Sequence, residues 1–336
     1  MKNTFLLFGL IAFLGSCTDN NYNDGVVPPV VSTAEFKLFT SSNTSGAVSV
    51  TDLMASAPMP RSLMISSVDS EGIIYDGLAD EMIVASRSNN RLELYRGFKT
   101  LAASAATFPL TFSGSADFTN ARETTTSGNF VLVAQDQAAS NMNTNRIFVY
   151  QKSATGFTLV NTYTIPFKLW GIQMVGSTLY AVVDLASDLC VFDNFLANAS
   201  GTIMPTKRVT IQGLVRTHGI AYSAEDNRMV LSDVGSAASD TDGGLVILNN
   251  FASLLASTPN NGTIALASQN RIYGAATLMG NPVDCAYDYI TKDIFVAERL
   301  NGGGRVLSFS GNSSGDIAPK TSRLEAGVTS VFVLRK

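Results

Sequence analysis

The sequence predicts an all-β chain folded as a six-bladed β-propeller, with four-stranded antiparallel blades and a ring closed by strands from the two ends of the chain. Three observations predict it. Glycine pairs recur at one spacing, Gly201 to Gly213, Gly262 to Gly274 and Gly315 to Gly327, each twelve residues apart. Short alternating apolar runs follow one another with turn residues between them, the signature of strands rather than helices. The repeats fall near 72–114, 116–166, 170–213, 217–274 and 282–327, and residues 35–66 with 327–334 make up a sixth. Six copies over residues 35–336 give about 50 residues each, the size of a propeller blade.

Each copy reads as strand A, strand B, strand C, a helical turn and strand D. Strand A opens at Gly72-Ile73-Ile74, Gly171-Ile172, His218-Gly219-Ile220 and Asp284-Cys285-Ala286. Strand B follows as Met82-Ile83-Val84-Ala85, Leu179–Val183, Met229-Val230-Leu231 and Ile294–Ala297, after turn signals such as Gly176-Ser177 and Glu225-Asp226-Asn227. Strand C ends in an apolar residue with another three positions on: Tyr95 with Phe98, Phe192 with Phe195, Leu248 with Phe251, and Val50 with Leu53. That spacing places both on one face of a single helical turn. Strand D ends near Val209-Thr210-Ile211, Arg271-Ile272-Tyr273 and Arg323-Leu324, and Phe108–Gly114 reads as an earlier copy. In the split copy, residues 327–334 supply strand A, and Glu35 to Ser66 supplies B, C and D. Pairing the two chain ends removes the exposed sheet edges that invite aggregation.

Residues 1–34 lie outside this pattern. Lys2 precedes a short apolar run, Phe5 to Phe13, too short to span a bilayer but suited to a signal peptide. Leu14-Gly15-Ser16-Cys17 resembles a bacterial lipobox, in which small residues flank the scissile bond and the cysteine thiol receives lipid. The resemblance implies a signal peptide over 1–16, lipidation at Cys17, and a polar tether over 17–34 containing Pro28-Pro29. It places the protein in a bacterial cell envelope, anchored through lipid on Cys17. Thr18, where an inner-membrane retention signal has aspartate, points to the outer membrane, on its periplasmic or surface face.

Composition removes several function classes. With 46% hydrophobic and 15% charged residues among 336, and a net charge of −4, the chain is neither disordered nor equipped with the basic stripe that nucleic acid requires. One histidine rules out a multi-histidine metal centre. Cys190 and Cys285 fall on different strand types two blades apart, so two buried free thiols are expected.

The phrase Gly315-Asp316-Ile317-Ala318-Pro319, its trailing glycine, and Asn281-Pro282-Val283-Asp284 resemble bacterial NHL-like repeat propellers. They are also similar to the wider six-bladed class that contains lactonases and gluconolactonase-like enzymes. The likeness covers residues 35–336 as a blade pattern and implies a fold; propellers host enzymes, scaffolds and ligand traps alike.

In a propeller the starts of strand A and the ends of strand B converge at one mouth of the central channel. The A-starts carry Glu71, Trp170, His218 and Asp284, the expected ligand-binding set. The B-ends carry Arg87, Asp136, Asp184, Asp233, Glu298 and Arg299. Three chemistries are compatible with these residues. Asp136, Asp184, Asp233 and Glu298 could hold calcium, which favours several carboxylate oxygens, with His218 as a proton shuttle in a metal-assisted hydrolase. The mouth could instead bind a small molecule, glycan or protein, with Trp170 stacking on it. Or the acids could simply tie loops together in a scaffold. Binding or scaffolding is preferred over the enzyme.

Overall fold

In a computed structural model, residues 34–336 are described, and they form the predicted six-bladed propeller. The blades, from strand A to strand D, begin at Ser70–Asp76, Ala121–Ser127, Leu169–Val175, Thr217–Ser223, Pro282–Asp288 and Val328–Arg335. The sixth blade takes its other strands from the opposite end of the chain, Phe36–Ser42, Ala47–Asp52 and Pro60–Met64. Closure runs along the whole of Phe36–Ser42, paired antiparallel with the last strand from Phe36 opposite Arg335 to Ser42 opposite Val328. Arg335 locks it further by donating from Nε and Nη2 to the Asp288 carboxylate of the fifth blade, at 3.0 and 2.6 Å.

The alternating strand pattern puts one set of side chains on each blade face, and blades pack face to face. The apolar interior therefore divides into six clusters, one at each joint between neighbouring blades. The helical turns are wedges in these joints. Phe195 packs on Tyr163 of the preceding blade with ring centres 4.8 Å apart, and Phe251 on Tyr180 at 5.7 Å. The residue before each wedge, Gly97, Asn194 or Asn250, sits in the left-handed region, which favours glycine and asparagine. At Val50–Leu53 the corresponding residue is Asp52, which is not left-handed, and no helical turn forms.

The recurrent glycine segments do more than the repeat pattern suggests. Gly201–Thr202 runs parallel to Tyr163–Thr164 of the preceding blade, and Thr263–Ile264 parallel to Thr210–Ile211. Single parallel bridges join Gly315 to Ile272 and Thr107 to Met64. These additions cover outer strand edges that would otherwise carry unpaired backbone groups. Cys190 and Cys285 are both buried and free. Among the described residues no helix is long and apolar enough to cross a membrane.

Candidate functional site at the channel mouth

Backbone register decides which side chains reach the channel. At the mouth, the first residue of strand A pairs with the last of strand B: Ser70 with Ser86, Ala121 with Gln135, Leu169 with Val183, Thr217 with Asp233, Pro282 with Glu298 and Val328 with Ser42. The next residues along strand A form one level: Glu71, Arg122, Trp170, His218, Val283 and Thr329. The level below is Gly72, Glu123, Gly171, Gly219, Asp284 and Ser330. In all six blades a register shift falls here on strand A, and such a bulge re-aims side chains.

Glu71, Trp170 and His218 are thus brought together, around a cavity of about 230 Å³. Asp284 is not level with them. It lies one level deeper, where Val283 holds the corresponding mouth position. There its carboxylate accepts N–H bonds from Cys285 (2.7 Å) and Val331 (2.8 Å). Burial pushes Asp284 up to about 7, and burial with the neighbouring Asp284 charge raises Glu123 well above the usual carboxylate range.

The four acids considered for calcium do not converge either, and the donor set does not fit the ion. Asp233 and Glu298 are the paired residues of strand B, whereas Asp136 and Asp184 come one residue after it. Successive side chains on a strand point to opposite sides, so that offset turns the two pairs apart. Asp233 accepts N–H bonds from Val215 and Arg216 and the Tyr273 hydroxyl. Glu298 accepts from the backbone of Gly280, Asn281, Leu300 and Asn301. Asp136 lies 3.5 Å from Arg122 and 3.7 Å from Lys168. Asp184 lies 3.2 Å from Lys168 and 2.7 Å from Arg216. Among the described residues no three His, Cys, Asp or Glu side chains are grouped to hold a metal.

His218 donates from Nε2 to Asp184 Oδ1 at 3.1 Å. Burial lowers its pKa to about 4, so at neutral pH it is uncharged and Nδ1 carries a lone pair, buried and without a partner. Hydrogen bonds from His218 and Arg216 hold Asp184 well below the usual carboxylate range despite its burial. Trp170 stacks flat on His218, ring centres 3.4 Å apart and planes 5° apart, while Arg122 sits 3.9 Å from the same ring centre. Two groups that close to one centre must occupy opposite faces. Both faces of Trp170 are taken, so it cannot stack on a ligand as expected. Gly171 makes the stack possible: a Cβ there would stand 2.3 Å from the His218 carbonyl oxygen.

Beyond Arg87 and Arg299, which the strand-B ends point to, the cations around these acids are Arg122, Lys168 and Arg216, which no strand-end pattern marks. Arg122 and Lys168, as well as Arg216 and Asn281 beside the cavity, come from strand A or the residue before it. Arg122 opens Arg122-Glu123-Thr124-Thr125-Thr126, a polar run without the apolar alternation that marks the other inner strands. Arg87 bonds Glu71 at 2.6 Å and lies 3.2 Å from Asp69. Burial pushes Glu71 up to about 7 against the pull of Arg87 and Arg122.

Fold and site together define a six-bladed propeller with a polar, arginine-rich channel mouth. Solved structures share the architecture at low identity. The nidogen/laminin complex matches with a TM-score of 0.59 and 10% identity, over 89% of this chain and 98% of that one. A putative 6-phosphogluconolactonase from Bacteroides fragilis matches at 0.58 and 11%, over 91% and 100%. A protein of unknown function from Bacteroides caccae matches at 0.56 and 8%, over 90% and 100%. No protein-family model matches the chain, and a search of curated proteins finds no match.

Proposed function

We propose that this chain is a lipid-anchored cell-envelope propeller that binds a ligand at its channel mouth without transforming it. One observation carries the reading. Three side chains that are almost wholly buried, Glu71, His218 and Asn281, each leave a polar atom without a partner where they line the same cavity. Buried polar groups are nearly always hydrogen-bonded, and orphans gathered around one space suit a ligand that completes them. Ligands screened against the full chain are expected to raise its melting temperature, because binding to the native state alone stabilises it.

A second reading, a hydrolase of the lactonase type, draws support from the name of the Bacteroides fragilis neighbour and from the His218–Asp184 pair. The acids' commitment to backbone amides and to arginine and lysine weighs against its metal-assisted form. Lactones and phosphotriesters with calcium, with and without chelator, are expected to show no turnover. Chelator-sensitive turnover abolished in His218→Gln would reverse the preference.

Anchoring rests on the lipobox-like residues, which lie outside the described part of the chain. Mass spectrometry of the mature protein is expected to find Cys17 as an acylated N-terminus. Cys17→Ala is expected to release the protein from the membrane fraction; an unmodified Cys17 in the membrane-bound protein would refute the anchor.

A further inference from the structure

Five cationic side chains stand around the mouth: Arg87, Arg122, Lys168, Arg216 and Arg299. Four have a carboxylate within 4 Å. Arg299 has none among the described residues; its Nε and Nη2 face the side-chain oxygen of Asn43 at 3.0 Å, when that amide is turned to give its nitrogen to the Gly327 carbonyl. Arg299 is exposed and lines the cavity. Arg122 is mostly buried and donates no side-chain hydrogen bond. Its Nε is buried without a partner, and its terminal nitrogens stop 3.7 Å from Glu71 and 3.5 Å from Asp136, beyond the usual range of about 2.7–3.2 Å. A guanidinium withdrawn from water with unmet donors is costly, and it is matched best by a planar or tetrahedral oxyanion, which accepts two parallel N–H bonds.

We propose that the mouth is a binding site for a small molecule bearing a carboxylate or phosphate group, anchored by Arg122 and Arg299. The assignment rests on the binding reading and names the group the cations hold; the acceptors of Glu71, His218 and Asn281 take donors elsewhere on the same molecule. The protein as a whole carries −4, so the attraction is local to the mouth rather than a property of the net charge.

Trp170 is the chain's sole tryptophan and lies in the cavity wall between Arg122 and His218, so its fluorescence reports on this site alone. The full chain is titrated with inorganic phosphate, acetate and succinate at constant ionic strength, with chloride as the control. A saturable change in Trp170 emission with phosphate or with a carboxylate, absent with chloride, is expected, and the stronger responder identifies the group. Arg299→Gln is expected to weaken that binding at least about tenfold with an unchanged melting temperature, since one charge-assisted contact is lost from an exposed side chain. No saturable response to any of the three anions, or equal affinity in Arg299→Gln, overturns the assignment. If a neutral molecule nevertheless quenches Trp170 saturably, the mouth is a binding site and only its anion preference is wrong.

Discussion

A chain ending at Gly327 is expected to show no cooperative melt and no near-ultraviolet circular dichroism. The missing segment, Val328–Arg335, is strand A of the sixth blade and pairs along all of Phe36–Ser42. Without it, Val328 and Val331 leave the apolar joint between the fifth and sixth blades. Asp288, whose side chain is fully buried, loses both bonds from Arg335. Asp284 loses the Val331 N–H deeper in the channel. Breaking one buried ion pair costs about 3–5 kcal/mol, against a total stability of about 5–15 kcal/mol for a typical domain. Loss of the strand adds its burial and ladder bonds to that and leaves the long Phe36–Ser42 strand unpaired along one edge. A peptide spanning 328–336, added in trans, is expected to restore part of the melt. A truncated chain that unfolds cooperatively within a few degrees of the parent would show that the ring does not depend on this closure.

Replacing Glu298 by alanine is expected to lower stability by about 3–5 kcal/mol, because its fully buried carboxylate is the acceptor for four backbone N–H groups. Gly280 and Asn281 precede or begin the entry into the fifth blade, and Leu300 and Asn301 follow strand B, so one side chain ties both loops of that blade's mouth. Alanine leaves the donors unmet, at about 1–3 kcal/mol for each that water does not reach. The melting temperature is expected to fall on the order of 10 °C. Asp293→Ala, which removes the half-buried partner of the exposed Lys320, serves as the control and is expected to cost under about 1 kcal/mol. Calcium at millimolar concentration is expected to leave the parent's melt unmoved. A calcium-dependent rise in the parent that Glu298→Ala abolishes would make this acid a metal ligand and not a loop tie.

The pH readout at the mouth follows from the same burial. His218 is neutral at pH 7, and Glu71, raised to about 7, is losing its charge near there. On going below pH 7 the mouth therefore loses negative charge before it gains any on the histidine. Anion binding followed by Trp170 is accordingly expected to tighten between pH 8 and pH 6, and Glu71→Gln to flatten that dependence.

The ring itself was open to inspection in the residue order. Alternation, turn residues and the glycine spacing are local properties, and a blade is a local structure, so all six copies and the split closure are legible in the residue order. The wedges Phe98, Phe195 and Phe251 were visible for the same reason. The level at which a side chain enters the channel is a different kind of quantity. It depends on pairing between strands and on a bulge in the inner strand, and a shift of one residue sends a side chain to the other side. That is why Glu71, Trp170 and His218 meet while Asp284 sits deeper and Asp233 and Glu298 turn away. Nor could residue order reveal that both faces of Trp170 are occupied, or that Arg122 is buried with unmet donors, because those facts are set by how closely neighbouring blades approach. Local pattern thus determined the wheel, and packing across the joints determined what its hub presents.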